Sequence, residues 1–93
     1  MELYIKHKNN MDVCYKVLRI LNFDESSTLK VKSILCNQGF DATYVIEPKP
    51  VTLKLKKSDV KNWLYFHNND SLICVRYGNW LPLQNIIKEQ QNG

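Results

Sequence analysis

The chain has 93 residues, a net charge of +4 and a hydrophobic content of 44%. This composition argues against disorder, because it supplies enough apolar surface to bury. The length predicts a single small domain over residues 1–93, and the strand patterns described below predict that it is a β domain. The charge predicts a weak attraction to phosphates or acidic surfaces. Lysines outnumber arginines eleven to two, which favours contact with a phosphate backbone over the bidentate recognition of bases.

Targeting segments and reactive cysteines are not indicated. The N-terminal residues carry no apolar region with a cleavage site, and no apolar run is long enough to span a membrane, so we expect a cytoplasmic protein with no membrane partner. The three cysteines, Cys14, Cys36 and Cys74, are odd in number and show no CxxC spacing. We expect them to be reduced and to pack as small hydrophobic residues.

The first part of the chain predicts two strands. Residues 3–7 alternate apolar with polar side chains, and the asparagine-rich segment 8–10 predicts a turn. Residues 13–21 are rich in β-formers, yet both parities are apolar. A long strand of this kind predicts a bulge near Lys16 or Arg19, where the side chains exchange faces.

Lysines occupy one parity of two later segments. In Thr28–Cys36 and Val51–Lys56 aliphatic side chains occupy the other parity, which is typical of strands with one dry face and one wet face. The lysines of this pattern are Lys30, Lys32, Lys54 and Lys56, and Lys57 and Lys61 follow closely. We expect them to form one outer patch if the strand Asp41–Glu47 lies between the two lysine strands.

The register of that arrangement is predicted from a short loop. A four-residue loop between Cys36 and Asp41 predicts a hairpin in which these two residues are paired. The same register places Lys30 opposite Glu47, an opposite-charge pair. Pro48 and Pro50 then predict a corner that separates Asp41–Glu47 from the next strand.

The last part of the chain predicts helical turns around short strands. Ser58 is a predicted helix N-cap for one helical turn near 58–64, which would place Val60, Trp63 and Leu64 on one face. Short strands are predicted at 64–67 and Ser71–Tyr77. Pro82 is predicted in the first turn of a closing helix whose apolar positions are Leu83, Ile86 and Ile87.

These elements predict a mainly β protein. The favoured fold is a small antiparallel barrel of five or six strands, SH3-like or OB-like, with one helical turn near 58–64 and a short C-terminal helix. The alternative is an α+β open sheet with a C-terminal helix across one face. The sequence leaves the strand order and the oligomeric state open.

Catalytic and metal sites are not predicted. The histidines and cysteines are scattered without ligand spacing, and no Gly-rich phosphate loop occurs. No carboxylate pair indicates acid–base chemistry. We therefore expect a protein that is not an enzyme, without a cofactor, metal or small-molecule substrate.

Two functions of different class remain. The first is a nucleic-acid-associated binding module that uses the lysine-bearing face together with nearby aromatic side chains. The second is a protein-interaction module, an adaptor or inhibitor, which uses an aromatic patch around Trp80. Arg76 and Tyr77 are predicted beside Trp80, where the aromatic rings would stack on a base or anchor a partner. An acidic protein surface is a further partner for the lysines, and Trp63 is predicted in the core.

Overall fold

The computed structural model describes residues 2–23, 27–38, 43–68, 75–76 and 79–87. Strands dominate this part of the chain, in agreement with the mainly β prediction. The strands are β1 (Glu2–His7), β2 (Val13–Phe23), β3 (Thr28–Gln38), β4 (Thr43–Lys56), β5 (Trp63–Asn68) and β6 (Leu81–Pro82). A 3₁₀ helix (Lys57–Asn62) joins β4 to β5, and residues 84–87 are helical.

The six strands form one antiparallel sheet with the order β4-β3-β2-β1-β5-β6. Within the described ranges the end strands β4 and β6 do not pair with each other, so the described sheet is not closed into the predicted barrel. The described part matches the alternative in that respect: the sheet is open, and helical residues 84–87 pack against one face.

The connection from β4 to β5 requires the sheet to curl. These strands are four positions apart in the sheet, which is about 19 Å in a flat sheet at about 4.8 Å per strand. Six 3₁₀ residues rise only about 12 Å. The 3₁₀ helix is held at both ends, because Lys57 N donates to the carbonyl of Ser27 and Lys8 N donates to the carbonyl of Asn62. Curling brings Leu55 of β4 and Tyr65 of β5 into one core.

The core lies on one face of this curled sheet, hereafter the core face. Its fully buried centre includes Ile5, Leu29 and Val31. Leu83, just before the helical residues, and Ile87, the last of them, pack against this centre. The predicted alternation therefore holds at Ile5, Leu29, Val31 and Leu55, which are buried. It does not hold throughout, because Tyr4 and Lys6 of the other parity are also buried and Val51 is exposed. Trp63 packs against this core, as predicted, with its ring centroid 5.7 Å from that of His7.

The predicted bulge in β2 is confirmed. The register of β2 against β3 shifts between Val17 and Arg19 and again between Ile20 and Phe23. Leu18 is the extra residue of the first shift, and its side chain is exposed. Consequently Val17 and Ile20 both pack against the core although they are three residues apart.

The predicted hairpin register is wrong. Cys36 pairs with Val45 rather than Asp41, and Lys30 pairs with Lys54 rather than Glu47. The slip is four positions at Cys36 and seven at Lys30, because the pairing shifts between Ser33 and Leu35 and again between Leu35 and Cys36. Glu47 consequently pairs with Leu35, at the parity of the core face, and not with Lys30 on the other face.

The predicted corner at Pro48 and Pro50 is also wrong, because β4 continues through both prolines as one strand. An edge strand tolerates proline, since a missing N–H costs nothing on the side that has no neighbouring strand. The register is irregular between Glu47 and Val51, where the prolines lie. No strand therefore separates the lysines of β3 from those of β4.

Three helix and strand predictions also need correction. Ser58 lies inside the 3₁₀ helix and is not its N-cap, and Lys56 at the cap position makes no side-chain capping bond. Val60 is buried as predicted, but Trp63 and Leu64 belong to β5, where adjacent side chains point to opposite faces. Pro82 lies in β6, and the helical residues begin after it.

The predicted strand Ser71–Tyr77 lies mostly outside the described residues. Its two described members, Val75 and Arg76, form bends and not a strand.

A buried hydroxyl in the sheet gives a first prediction. Ser33 is fully buried between Val17 and Val51, and its Oγ has no hydrogen-bond partner among the described residues. Because an unsatisfied buried hydroxyl is destabilising, we expect Ser33→Ala to raise the free energy of unfolding by about 1 kcal/mol in thermal denaturation. Ser58→Ala, at an exposed position, is the matched control with no change. A loss of stability in Ser33→Ala would contradict this account.

Candidate nucleic-acid interface

Strand β3 defines the second face of the sheet, which we call the basic face. Its residues at this parity are Thr28, Lys30, Lys32, Ile34 and Cys36. The partners of the first three on β4 are Lys56, Lys54 and Thr52. The four strand lysines predicted from the sequence therefore lie on one face of two directly adjacent strands.

Like charges stand directly opposite each other on this face. Lys30 pairs with Lys54 across β3 and β4, and Lys32 pairs with Arg19 across β3 and β2. Directly opposed like charges destabilise a sheet, by up to about 1 kcal/mol for each pair. Two such pairs on three neighbouring strands concentrate positive charge in one area. With Lys56, these side chains form the cationic grid: Arg19, Lys30, Lys32, Lys54 and Lys56.

Arg19 was not predicted as a site residue. Counting parity along β2 from Tyr15 places Arg19 on the core face, and the bulge at Leu18 moves it to the basic face. The signal in the sequence was the charge itself, since a cation at a core position of an apolar strand requires a change of face.

Lys57 and Lys61 lie beyond the strand ends in the 3₁₀ helix, and both are exposed. They are close to Lys56 along the chain. They extend the positive charge past the end of β4 without belonging to the cationic grid.

The other end of the basic face is neutralised by an acidic residue. Glu2 Oε1 lies 2.8 Å from Lys16 Nζ, and Glu2 Oε2 accepts a hydrogen bond from the hydroxyl of Tyr4. The hydrogen bond from Lys16 and the one from Tyr4 hold the pKa of the Glu2 carboxyl below its usual value. The excess positive charge on this face therefore lies on β2, β3 and β4, away from Glu2.

A buried lysine lies under Trp80 at this same end. The Nζ of Lys6 donates a hydrogen bond to the carbonyl oxygen of Val75 and lies 5.0 Å from the centroid of the Trp80 ring. The ring of Trp80 also packs on Phe66, with centroids 5.6 Å apart. Lys6 thus holds Val75 against this face of the sheet.

The two described cysteines pair with each other across β2 and β3 on the basic face, in an apolar cluster that includes Val75 and Trp80. Cys14 and Cys36 are directly opposite each other, both are buried, and Tyr4 and Val75 pack beside them. Burial raises the pKa of the Cys14 thiol to about 12 and also raises that of Cys36. Thiols that stay protonated are poor nucleophiles. This arrangement fits the prediction of reduced, structural cysteines.

The predicted aromatic patch is only partly described. Trp80 is half-buried by the contacts given above, and Arg76 bonds to the carbonyl of Met11 and to Asp12 Oδ1, at 3.3 and 3.0 Å. Tyr77 lies outside the described residues. An anchoring role for Trp80, Arg76 and Tyr77 therefore stays a prediction.

In the described part of the chain, no three His, Cys, Asp or Glu side chains are grouped so that they could hold a metal ion. The same residues contain no helix that is long and apolar enough to cross a membrane.

Comparisons with known proteins give no relative: no protein-family model, curated protein or solved structure matches this chain.

Proposed function

We propose that this protein is a non-enzymatic module that binds nucleic acid through the phosphate backbone, using the cationic grid. One observation carries the proposal. Like charges are directly opposed at two cross-strand pairs, Lys30 with Lys54 and Lys32 with Arg19. An arrangement that destabilises the free protein is relieved when an anionic ligand lies across it.

The spacing of the grid suits a polyanion. Neighbouring cations on one strand, such as Lys30 and Lys32, are two residues apart, which is about 7 Å in a strand. Cations on adjacent strands are about 5 Å apart at the backbone. A nucleic acid supplies closely and regularly spaced negative charges, so several phosphates reach the grid at once.

The grid is suited to phosphates more than to bases. Four of its five cations are lysines, which act as point charges without the planar fork that recognises guanine. The exposed aromatic side chain Tyr44 pairs with Asn37, at the parity of the core face, and Trp80 is half-buried. Base stacking therefore contributes less than the sequence suggested, and we expect binding with little sequence preference.

Salt dependence tests this proposal. With five phosphate contacts, the slope of log K against log salt concentration is expected to be about −4.5 for a duplex and about −3.5 for a single strand. Affinity for a fluorescein-labelled duplex, measured by anisotropy, should then fall about 500-fold between about 50 and 200 mM salt. A slope near zero would contradict the proposal, as would no binding at about 50 mM salt.

Polyglutamate provides the competing ligand in the same titration. It carries negative charge without phosphates, so it represents an acidic protein surface. If the duplex binds through its phosphates, polyglutamate at equal charge concentration displaces it weakly. Displacement as strong as that by unlabelled duplex would overturn the nucleic-acid proposal in favour of an acidic protein partner.

A further inference from the structure

The N-terminal half of β4 is an exposed apolar edge. Tyr44, Val45 and Ile46 are 55%, 46% and 42% exposed, and they follow one another at the rim of the sheet. Within the described residues β4 pairs only with β3, so the outer side of this strand presents backbone N–H and C=O groups. Such an edge is a template for another strand.

Other parts of β4 carry prolines or lysines that oppose strand addition, and this part carries neither. Pro48 and Pro50 lack the N–H that a ladder requires, and Lys54 and Lys56 place charge on the C-terminal half. The stretch without prolines or lysines is residues 43–47. Ile46 has no partner in the register with β3, because the pairing jumps from Val45 to Glu47. Its side chain is available at the rim.

The sequence of this stretch is complementary to itself. In an antiparallel pair centred on Val45, each Tyr44 faces Ile46 of the second copy, and Val45 faces Val45. Aromatic and β-branched residues are favourable cross-strand partners. This register ends at Glu47, so that both prolines lie outside the ladder.

Charge permits this pairing despite the positive net charge of the chain. Glu47 is the only charged residue within 43–47, and it faces Thr43 of the second copy, so no like charges are opposed. Lys54 is nine residues from Val45, about 30 Å along a strand. That distance exceeds the Debye length of about 8 Å at physiological salt.

We propose that this chain forms a two-fold symmetric dimer in which β4 pairs with β4 of a second copy through residues 43–47. The interface is isologous, since the same stretch contributes from both copies. The two sheets join into one, and the two-fold axis is perpendicular to it, so both cationic grids are on the same side. The dimer does not depend on nucleic-acid binding, and either proposal stands if the other fails.

Sedimentation equilibrium across a concentration series tests the dimer. We expect the mean mass to rise from 11.0 kDa toward twice that value, with a dissociation constant in the micromolar range, about 1–100 μM. Ile46→Lys places a charge at the rim without removing a partner of β3. It should raise the dissociation constant at least about 30-fold.

A matched control uses an exposed aliphatic residue away from the edge, Leu18. Leu18→Lys adds the same charge on β2, which is not an edge strand, and should leave the dimer unchanged. A wild-type mass of 11.0 kDa up to about 1 mM would overturn the proposal. A dimer that survives Ile46→Lys would place the interface elsewhere and would also overturn it.

Hydrogen exchange distinguishes strand pairing from side-chain contact. In the dimer, outward backbone amides within residues 44–47 become hydrogen-bonded, so their exchange should slow as protein concentration rises. Unchanged exchange in this stretch at concentrations where the dimer is populated would contradict pairing through β4.

Discussion

Reversing the charge of Lys32 and Lys54 together is expected to weaken duplex binding about 100-fold at low salt, or about 2.7 kcal/mol. Both side chains are exposed members of the cationic grid. The same double variant should be more stable than the wild type. Each new glutamate faces a cation, Arg19 opposite residue 32 and Lys30 opposite residue 54, so two repulsive pairs become attractive ones. We expect a melting temperature about 5 °C higher.

A charge-matched variant separates the grid from net charge. Lys8→Glu with Lys49→Glu also lowers the net charge from +4 to zero, and both positions are exposed. Lys8 lies in the turn after β1, and Lys49 lies between the prolines of β4, so neither belongs to the grid. This variant should lose less than about 10-fold in affinity. Equal losses in the two double variants would show that net charge alone attracts the duplex and would contradict the grid.

Lys6→Glu is expected to lower the free energy of unfolding by about 4 kcal/mol or more, a large part of the stability of a chain this size. Lys6 is 6% exposed, and its ammonium group is held by the Val75 carbonyl and the Trp80 ring. A carboxylate there would face a carbonyl oxygen and the negative face of an aromatic ring in a dry environment. Lys6→Met keeps the packed stem and should cost only about 1–2 kcal/mol.

Lys16 supplies the controls for Lys6, because it lies on the same face but is solvated. Its ion pair with Glu2 is partly exposed, so Lys16→Met and Lys16→Glu should each change stability by less than about 1 kcal/mol. Urea denaturation followed by tryptophan fluorescence measures all four variants. If Lys6→Glu stays within about 1 kcal/mol of the wild type, the buried contact of Lys6 with Val75 and Trp80 does not hold in solution.

The local sequence pattern predicted which side chains share a face of a strand better than it predicted how the strands pair. The alternation at Lys30, Lys32, Lys54 and Lys56 predicted which side chains share a face, because parity is a property of each strand alone. The excess of apolar residues in β2 predicted a bulge for the same reason. Register was missed because the pairing of β3 with β4 shifts twice, and the sequence of either strand alone does not show where such shifts fall.

The other errors depend on features that no single segment of the sequence shows. Pro48 and Pro50 predict a corner only if the strand has neighbours on both sides, and the sequence does not reveal that β4 is the edge. Arg19 lies on the basic face because of the bulge at Leu18, and the sequence did not show on which side of Arg19 the bulge would fall. The contact of Lys6 with Val75 spans 69 residues and has no local signature.

The salt dependence of Arg19→Gln tests the cationic grid most directly, since this residue belongs to the grid only if the bulge and the register are as described. Removing one phosphate contact should reduce the steepness of the slope of log K against log salt by about 0.9 for a duplex. Stability should rise slightly, by up to about 1 kcal/mol, because Arg19 is exposed and its charge repels that of Lys32. An unchanged slope in a folded variant would show that Arg19 does not contact the phosphates and would contradict the grid.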